Sequence, residues 1–462
     1  MINIKTDSRK VVKGDTFVAI KGYTVDGHDF IESAISNGAV KIICEHGDYS
    51  VPTLRVKNTT KYLAEYLKDN YSKNLEKLKI IGITGTNGKT TTCYLLYNAL
   101  LNLNRKVAYI GTIGFHLNGK MVKELPNTTP DVLEMYNLLY ECIDNGVEFV
   151  VMEVSSHALS LNRLCGISFD VALFTNLTKD HLDYHKTLDA YADAKHILFT
   201  KLKNNKIAII NNDANYKEKM FVDGNNNITY GFSDSDYTVT YFETNSKFTK
   251  FKFEHNSSEY TVVSTLSGKH NVYNVLSMLI ILFELKFDVT SVLKIISDLK
   301  APSGRMEKYY YKGNTVIIDY AHTPDAEFNI ITATKEFAKG KIITLIGCGG
   351  DRDKTKRPEM ARIATQLSDF SIFTSDNPRT ENPQDILNDM IKGISNNKYI
   401  EIIDRNEAIK YGIDMLEEND ILLILGKGHE DYQIVGHEKI HLSDKEIAKN
   451  YIDYKLKNNV HP

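Results

Sequence analysis

The stretch Lys79-Ile80-Ile81-Gly82-Ile83-Thr84-Gly85-Thr86-Asn87-Gly88-Lys89-Thr90-Thr91 decides the fold of this sequence. An apolar strand pattern runs into a glycine-rich turn, and a helical pattern over 92–101 follows. In such an arrangement the backbone N–H groups at the helix start face an anion, Lys89 supplies a positive charge, and Thr90 offers a hydroxyl to Mg²⁺. The common pattern has glycine where this chain has Ile83, so we interpret the stretch as a variant phosphate-binding loop.

Short apolar runs alternate with helical patterns on both sides of this loop, which indicates βαβ units and parallel sheets. The pattern predicts three α/β domains, at 1–79, 80–300 and 301–462. The middle domain carries the loop and a mostly parallel sheet, with an antiparallel hairpin predicted within 237–253. The last domain has a second open sheet, which is typical of a Rossmann-like fold. A chain of 462 residues agrees with about three domains of roughly 150 residues each.

Composition excludes several classes of protein. With 42% hydrophobic and 25% charged residues, the chain can build several cores, which excludes disordered and fibrous classes. A formal net charge of -3 leaves no excess of Lys and Arg for non-specific nucleic-acid binding. Five scattered cysteines without a Cys-x-x-Cys spacing argue against disulfides and zinc. No secretion signal or membrane span is expected, so we predict a cytoplasmic protein without nucleic-acid or membrane partners.

Two further polar segments are predicted at the carboxyl ends of parallel strands, where ligands bind in open α/β sheets. Glu153 ends the apolar strand 147–152, where ATPases of this type hold a metal-coordinating carboxylate. The segment 180–185 adds two imidazoles and two carboxylates. No thiolate or His-Glu-x-x-His helix supports zinc, so a Mg²⁺ site completed by phosphate oxygens and water fits better.

A series of motifs closely resembles those of the Mur ligase family and keeps their order along the chain. They are GTNGKT (85–90), MEVSSH (152–157), TNL (175–177), DHLDYH (180–185), GKHNVYN (268–274), GRME (304–307) and DYAHTPD (319–325). Members are ATP-dependent enzymes that add amino acids to the UDP-linked peptidoglycan precursor. Four further motifs resemble those of the members that add the third residue. They are NTTP (127–130), GCGGDRD (347–353), DNPRTENP (376–383) and GKGHE (426–430). DSR (7–9) and DGH (26–28) are similar to the uridine-diphosphate-binding domain of those members.

The resemblance implies a two-step ligation with ATP and Mg²⁺ in peptidoglycan precursor synthesis. ATP phosphorylates the D-glutamyl carboxylate of UDP-N-acetylmuramoyl-L-alanyl-D-glutamate, and the amine of meso-diaminopimelate then displaces phosphate. The implied catalytic residues are Lys89, Glu153, His181 and Lys195. The implied metal ligands are Thr90, Glu153, His181 and Lys195, the last as a carbamate (N6-carboxylysine). The implied ATP-binding residues are Gly85, Thr86, Asn87, Gly88, Lys89, Thr90, Thr91, Asn271, Arg305 and Asp319.

The resemblance also implies a site for the UDP-linked substrate. Its residues are Ser8, His28, Asn127, Thr128, Thr129, Ser155 and Arg163. Family members commonly carry Gln two positions before that arginine, and this chain has Leu161, so Leu161 is left out of the site.

The site for the incoming diamino acid is implied at Arg352, Asp376, Asn377, Pro378, Arg379, Gly426 and Glu430. The planar fork of Arg379 suits a carboxylate. meso-Diaminopimelate has a carboxylate at its far end, whereas L-lysine has none for Arg379 to pair with, so a buried unpaired charge would reject lysine. Arg352 is expected to take the same distal carboxylate, and Glu430 the distal ammonium group.

Three alternatives stay open at this point. The same ligase fold can add L-lysine or another diamino acid, or glutamate to folate, although the folate type lacks a uridine-binding domain. A P-loop small-molecule kinase would account for the loop at 85–90 but not for the motif at 376–383. A nucleotide-binding scaffold without turnover would not need Lys89, Glu153 and His181. We expect the protein to be a monomer.

Overall fold

The protein is described from a computed structural model, which covers residues 2–22, 25–245, 247–394 and 396–458. Within these residues the strands form three successive sheets with helices packed around them, and a fourth sheet of only two strands. The predicted α/β architecture, with an N-terminal, a central and a C-terminal part, is therefore confirmed. Among the helices of these residues, none combines the length and apolarity that a membrane crossing requires.

The N-terminal sheet is small and parallel. Its strands, in spatial order, are β1 (Ile4–Lys5), β2 (Thr16–Val18), β3 (Lys41–Cys44) and β4 (Thr53–Arg55). The helices of this part are α1 (Ile31–Ser36) and α2 (Thr59–Tyr71), with 3₁₀ turns at Ser8–Lys10, Gly27–Phe30 and Ser72–Lys77. Helix α2 begins after Asn58, whose side chain accepts a hydrogen bond from the backbone N–H of Lys61 and so caps the first turn.

The central sheet carries the glycine-rich loop. Its strands are β5 (Lys79–Thr84), β6 (Val107–Gly111), β7 (Gly114–Leu117), β8 (Lys120–Lys123), β9 (Phe149–Glu153), β10 (Phe169–Phe174), β11 (Leu202–Asn211), β12 (Asn226–Gly231), β13 (Tyr237–Thr244), β14 (Thr249–His255) and β15 (Ser258–Ser264). The spatial order is β15-β14-β13-β12-β11-β10-β5-β9-β6-β7-β8. The strands from β6 to β12 in this order are parallel, and β5 lies in the middle between β9 and β10.

Both edges of the central sheet are antiparallel ribbons. The strands β13, β14 and β15 form one, which confirms the predicted hairpin, although it extends the main sheet because β13 also pairs in parallel with β12. The strands β6, β7 and β8 form the other. The helices of this part are α3 (Lys89–Asn102), α4 (Val132–Asp144), α5 (Ser156–Ser160), α6 (Leu182–His185), α7 (Leu188–Thr200), α8 (Lys269–Glu284) and α9 (Val289–Ile295), with 3₁₀ turns at Lys217–Met220 and Ile296–Asp298.

The C-terminal sheet is parallel except for its first strand. Its strands are β16 (Glu307–Tyr311), β17 (Asn314–Asp319), β18 (Ile342–Ile346), β19 (Phe370–Phe373), β20 (Tyr399–Glu401) and β21 (Ile421–Leu425), in the order β16-β17-β21-β18-β19-β20. A separate hairpin consists of β22 (Tyr432–Val435) and β23 (Glu438–His441). The helices are α10 (Pro324–Lys335), α11 (Lys356–Leu367), α12 (Pro383–Ile391), α13 (Arg405–Asp414) and α14 (Asp444–Asn458).

The hydrophobic cores follow the faces of the sheets. Two clusters cover the two faces of the C-terminal sheet, and two cover those of the central sheet. The first of the central clusters also includes residues of the N-terminal part, such as Ile4, Val18 and Leu63. Because this core is shared, the strands alone do not define where the first domain ends, and the division at 79 and 300 stays a prediction.

Candidate active site

The glycine-rich loop connects β5 to α3 and has no room for a side chain at Gly85 or Gly88. Gly88 has φ +87°, and a Cβ atom on Gly85 would lie 1.9 Å from Thr175 Oγ1. Lys89 Nζ donates hydrogen bonds to the carbonyl oxygens of Gly85 and Thr86, at 2.8 Å each. Burial lowers the pKa of Lys89. The ammonium group therefore lies against the loop, beside the backbone N–H groups at the start of α3.

Glu153 ends β9 next to this loop and is fully buried. Its Oε2 accepts a hydrogen bond from Thr90 Oγ1 at 2.8 Å, and its Oε1 accepts one from the backbone N–H of Thr112 at 2.9 Å and one from the hydroxyl of Tyr109. The predicted pair of Thr90 and Glu153 is thus in direct contact. A hydroxyl and a carboxylate are hard oxygen donors, so the residues present fit a Mg²⁺ ion that takes its remaining ligands from phosphate and water.

Within the described residues no three His, Cys, Asp or Glu side chains converge into a metal-binding group. A cation at this site would therefore have few protein ligands. Such a coordination is usual for Mg²⁺ at phosphate sites, because the ion keeps several waters.

Lys195 and His181, the other two predicted ligands, lie on α7 and just before α6. Lys195 is 1% exposed, its Nζ donates to the carbonyl of Gly85 at 2.9 Å, and it lies 4.2 Å from the ring centre of Tyr191. Burial and the neighbouring Lys89 lower the pKa of Lys195 well below its usual value. Burial also lowers the pKa of His181 to about 4, although Asp180 Oδ2 lies 3.3 Å from its Nε2.

Arg305 reaches from the C-terminal part to the loop. Its Nη2 lies 3.4 Å from Thr90 Oγ1, and its guanidinium packs on the ring of Tyr320 at 4.7 Å. Its Nε is buried without a hydrogen-bond partner among the described residues. A second contact joins the same two parts, because Asn87 Nδ2 donates to Asp325 Oδ2 at 2.7 Å.

Asp319 is half-buried and Asn271 is buried, and both are hydrogen-bonded within the protein. Asp319 ends β17 and accepts hydrogen bonds from the backbone N–H groups of Met306 and Ala321, at 2.8 Å each, while burial raises its pKa. Asn271, in the first turn of α8, donates to the carbonyl of Ser267 at 2.8 Å and accepts from Asn274 at 2.9 Å. Their predicted contacts to the nucleotide stay predictions.

A cleft of about 1550 Å³ opens between the central and the C-terminal sheets. Both sheets present the carboxyl ends of their parallel strands to it. The residues predicted for substrates that line it are Asn127, Thr128, Ser155, Arg163, Arg352, Asp376, Asn377, Arg379, Gly426 and Glu430. His181 lines it too. The structure therefore brings most of the predicted UDP-substrate and diamino-acid residues to one cavity.

Thr129 and Leu161 are not part of the wall formed by the described residues. Thr129 is fully buried, with its hydroxyl donating to the carbonyl of Glu153 at 2.9 Å and its own carbonyl accepting from Arg163 Nη1 at 2.9 Å. It thereby holds Arg163 at the cleft. Leu161 follows α5 and is half-buried, and no described contact replaces the hydrogen bond that a glutamine would offer.

Ser8 and His28 lie in the N-terminal part, outside the lining that the described residues form. His28 is buried, with Nδ1 2.6 Å from Asp26 Oδ1 and with Nε2 accepting from the backbone N–H of Glu45 at 2.9 Å. The proton of the ring is therefore on Nδ1. His46 stacks on the ring of His28 at 4.4 Å. Their predicted role toward the uridine diphosphate stays a prediction.

The segment that contains Arg379 is held by the β22–β23 hairpin. Arg379 has φ +51°, a conformation that a non-glycine residue rarely adopts. Its N–H donates to the carbonyl of Ile434 at 3.0 Å, and its carbonyl accepts from the N–H of Gly436 at 2.8 Å. Gln433 Nε2 donates to the carbonyl of Asp376 at 2.6 Å. The hairpin thus fixes Asp376 and Arg379, on either side of the buried Pro378.

A second set of contacts joins this segment to the loop that carries Arg352. Gly350 N–H donates to the carbonyl of Asn377 at 2.9 Å. Glu381 accepts from the backbone N–H of Asp351 at 2.6 Å and from Arg357 Nη2 at 2.9 Å. The hydrogen bond with Arg357 lowers the pKa of Glu381 to about 2. Two arginine-bearing loops are therefore fixed side by side at the cleft.

Two residues that contact the predicted site are not among the residues predicted from the sequence. Asn274, on α8, lies against the loop, since a Cβ atom on Gly88 would be 2.6 Å from its Oδ1. Lys427 is fully buried next to Glu430 and Asn377. Both lie inside motifs quoted above, but nothing in a single sequence distinguishes them from the helix and turn residues around them.

Three protein-family models match the sequence of this chain. They are "Mur ligase family, catalytic domain" over residues 2–71, "Mur ligase middle domain" over 83–282 and "Mur ligase, glutamate ligase domain" over 304–428. The chain is 44% identical to the UDP-N-acetylmuramoyl-L-alanyl-D-glutamate--2,6-diaminopimelate ligase of Bacillus cereus, over 99% of this chain and 95% of that one. It is 42% identical to ligase 1 of the same name from Clostridium acetobutylicum, over 97% and 94%.

Solved structures agree with these matches. The structure of a UDP-N-acetylmuramoyl-L-alanyl-D-glutamate--2,6-diaminopimelate ligase has a TM-score of 0.69 and 32% identity, with 99% of this chain and 95% of that one covered. A MurF ligase of Thermotoga maritima in complex with ADP has a TM-score of 0.70, 23% identity and coverages of 99% and 98%, which shows the shared fold.

Proposed function

The chain belongs to the Mur ligase family, and on this premise we propose that it is the ATP-dependent ligase that adds meso-diaminopimelate to UDP-N-acetylmuramoyl-L-alanyl-D-glutamate in peptidoglycan precursor synthesis. One observation carries the proposal. One wall of the cleft between the two large sheets carries Thr128, Arg163 and His181, and the other wall carries Arg352, Arg379 and Glu430. An acyl acceptor and an acyl donor can meet there.

The first step transfers the γ-phosphoryl group of ATP to the D-glutamyl carboxylate. A carboxylate oxygen attacks the γ-phosphorus, the bond to the bridging oxygen breaks, and ADP leaves. Because two anions approach each other, neutralisation supplies much of the rate. Lys89 and Arg305 are the cations beside the loop. Mg²⁺, held by Thr90 and Glu153, would polarise the phosphate oxygens when bound.

The second step forms the amide bond. The neutral amine of meso-diaminopimelate attacks the acyl carbon, phosphate leaves with the electrons of the carbon–oxygen bond, and the amine loses a proton. In this proposal Arg379 and Arg352, which line the cleft, hold the distal carboxylate, and Glu430 holds the distal ammonium group. Holding the far end positions the attacking amine at the opposite wall.

The carbamate of Lys195 belongs to this proposal. Lys195 is buried, and burial and the charge of Lys89 outweigh the opposing charge of Asp180, so the environment disfavours a second ammonium. The ammonium group would first lose a proton, and the neutral amine would then attack CO₂ and lose a second proton, which replaces a cation by an anion near Lys89 and the metal site. Intact-protein mass measurement under bicarbonate would show an added 44 Da or so, the mass of CO₂.

The test measures phosphate release with ATP and the UDP-muramoyl dipeptide, adding meso-diaminopimelate or L-lysine in parallel. Release that requires both the dipeptide and meso-diaminopimelate supports the proposal. Equal turnover with lysine would favour the alternative diamino acid. ADP formation that requires the dipeptide but no amino acid, with no phosphate released, would favour a small-molecule kinase, whose product would be a stable phosphorylated dipeptide.

Two further parts of the proposal concern the state of the protein in the cell. We place the reaction in the cytoplasm, because the proposed reaction consumes ATP. The monomeric state expected from the sequence stays a prediction, which sedimentation of the purified protein would test.

A further inference from the structure

The side chain of Lys427 is the most buried charge of the diamino-acid site. Its exposed fraction is 0%, and that of the Glu430 side chain is 15%. Lys427 Nζ lies 3.2 Å from Glu430 Oε2 and 3.3 Å from Asn377 Oδ1. A buried ammonium group is stable only when it is paired and hydrogen-bonded, so these contacts determine its position.

Lys427 helps to set which way the amide of Asn377 points. Asn377 Oδ1 accepts hydrogen bonds from Lys427 Nζ and from the backbone N–H of Ile434 at 2.9 Å. With two donors at the oxygen, the NH₂ group must face the other side, where Nδ2 donates to Glu430 Oε2 at 3.0 Å. Glu430 thus has one oxygen fixed by Lys427 and Asn377. Its other oxygen, Oε1, lies 3.5 Å from the hydroxyl of Tyr320.

The electrostatic consequence distinguishes two kinds of substrate end. Without Lys427, Glu430 would attract any cation, including the lone ε-ammonium of lysine. With Lys427 behind it, part of its charge is already compensated, and the ammonium of Lys427 repels a second ammonium at short range. A substrate whose distal end also bears a carboxylate is repelled less than one with an ammonium group alone, because Lys427 and Arg379 attract that carboxylate.

We propose that Lys427 is a positioning residue that sets the preference for a zwitterionic distal end over a lone ammonium group. The inference rests on the proposed function and deepens it, since it adds a residue that fixes the Glu430 carboxylate and compensates part of its charge. Lys427 acts through Glu430 and Asn377, and it contributes charge rather than a contact to the reacting atoms.

The test compares kcat/KM for meso-diaminopimelate and for L-lysine in the full-length protein and in Lys427→Met. We expect the ratio of the two values to fall by about ten-fold or more in Lys427→Met, which corresponds to the loss of one interaction with a charged group. The KM for meso-diaminopimelate should rise, and the KM for ATP should stay within about two-fold. Lys427→Arg retains the charge and should restore most of the ratio.

Controls separate charge, folding and the proposed function. Lys410→Met removes a half-exposed lysine that pairs with Glu407 on α13, and should leave the ratio unchanged. If Lys427→Met does not fold, the double variant of Lys427→Met and Glu430→Gln is measured instead. It removes both charges and should discriminate poorly between meso-diaminopimelate and L-lysine. An unchanged ratio in a folded Lys427→Met or in the double variant overturns the proposal. If the unmodified protein shows no turnover with meso-diaminopimelate, the proposed function fails instead.

Discussion

Replacing Glu327 by leucine should stabilise the protein, and increasingly so as the pH rises. Glu327 lies in the first turn of α10, is fully buried, and neither carboxylate oxygen has a hydrogen-bond partner among the described residues. Burial raises the pKa of Glu327 well above its usual value. Its surroundings belong to the apolar side of the C-terminal sheet, near the thiol of Cys348, whose pKa Glu327 helps to raise.

The magnitude has a constant part and a part that depends on pH. An unsatisfied buried polar group costs about 1–3 kcal/mol even when neutral. Below the usual carboxyl pKa of about 4.3, both the folded and the unfolded chain carry the proton, and no further term arises. As the pH rises above that value the unfolded chain ionises first, so folding stability falls by up to about 1.4 kcal/mol per pH unit until the raised folded-state pKa is reached.

The measurement is denaturant unfolding of the wild type, Glu327→Leu and the control Glu418→Leu between pH 5 and pH 8. We expect Glu327→Leu to gain about 1–3 kcal/mol at pH 5 and more at pH 8. Glu418 is exposed, and its replacement should give no such trend. A Glu327→Leu protein that is less stable than the wild type, or a gain that does not grow with pH, would refute this reasoning, because it would mean that the carboxylate is paired or hydrated.

Three further outcomes are expected. Arg379→Ala should lower kcat/KM for meso-diaminopimelate by about 100-fold, since a charged hydrogen-bonded pair is lost; unchanged kinetics in the phosphate-release assay would contradict the assignment. Gly304→Ala should lower the melting temperature, because its φ is +71° and a Cβ atom would lie 2.1 Å from the backbone nitrogen of His429. Glu381→Gln should make the stability of the fold depend less on pH at acidic pH. The lowered pKa of Glu381 stabilises the fold above the usual carboxyl pKa, and this stabilisation is lost as the pH falls toward 2. A melting profile of that variant with the wild-type acid slope would be the contrary result.

The sequence predicted those parts of the fold that are coded locally. The loop after β5 is recognisable because an apolar strand, two glycines and a helix start follow one another without a gap. Glu153 was found because it is the first charge after a run of apolar residues. By contrast, β8 is exposed at all four positions and has no alternating pattern, so only its pairing with β7 makes it a strand.

The rest of the site could not be predicted because it depends on contacts between distant segments. Lys427 stands between two glycines after a strand, a position where lysine is usually exposed. Its burial follows from Asn377, 50 positions earlier in the chain. The left-handed conformation of Arg379 likewise comes from the hairpin residues Ile434 and Gly436. No local pattern in 376–383 contains that information.

Within the C-terminal part, Arg305 and the diamino-acid site are linked through a pair of glycines. Gly304 and Gly428 pack backbone to backbone, so that a Cβ atom on Gly428 would lie 2.7 Å from the carbonyl oxygen of Gly304. Arg305, which reaches Thr90 at the phosphate-binding loop, directly follows the first glycine, and Glu430 lies two residues after the second. Because neither backbone can move toward the other without a clash, a movement that carries the segment of Glu430 in that direction also displaces Arg305. The amino-acid site and the cation facing the nucleotide site therefore share one backbone contact.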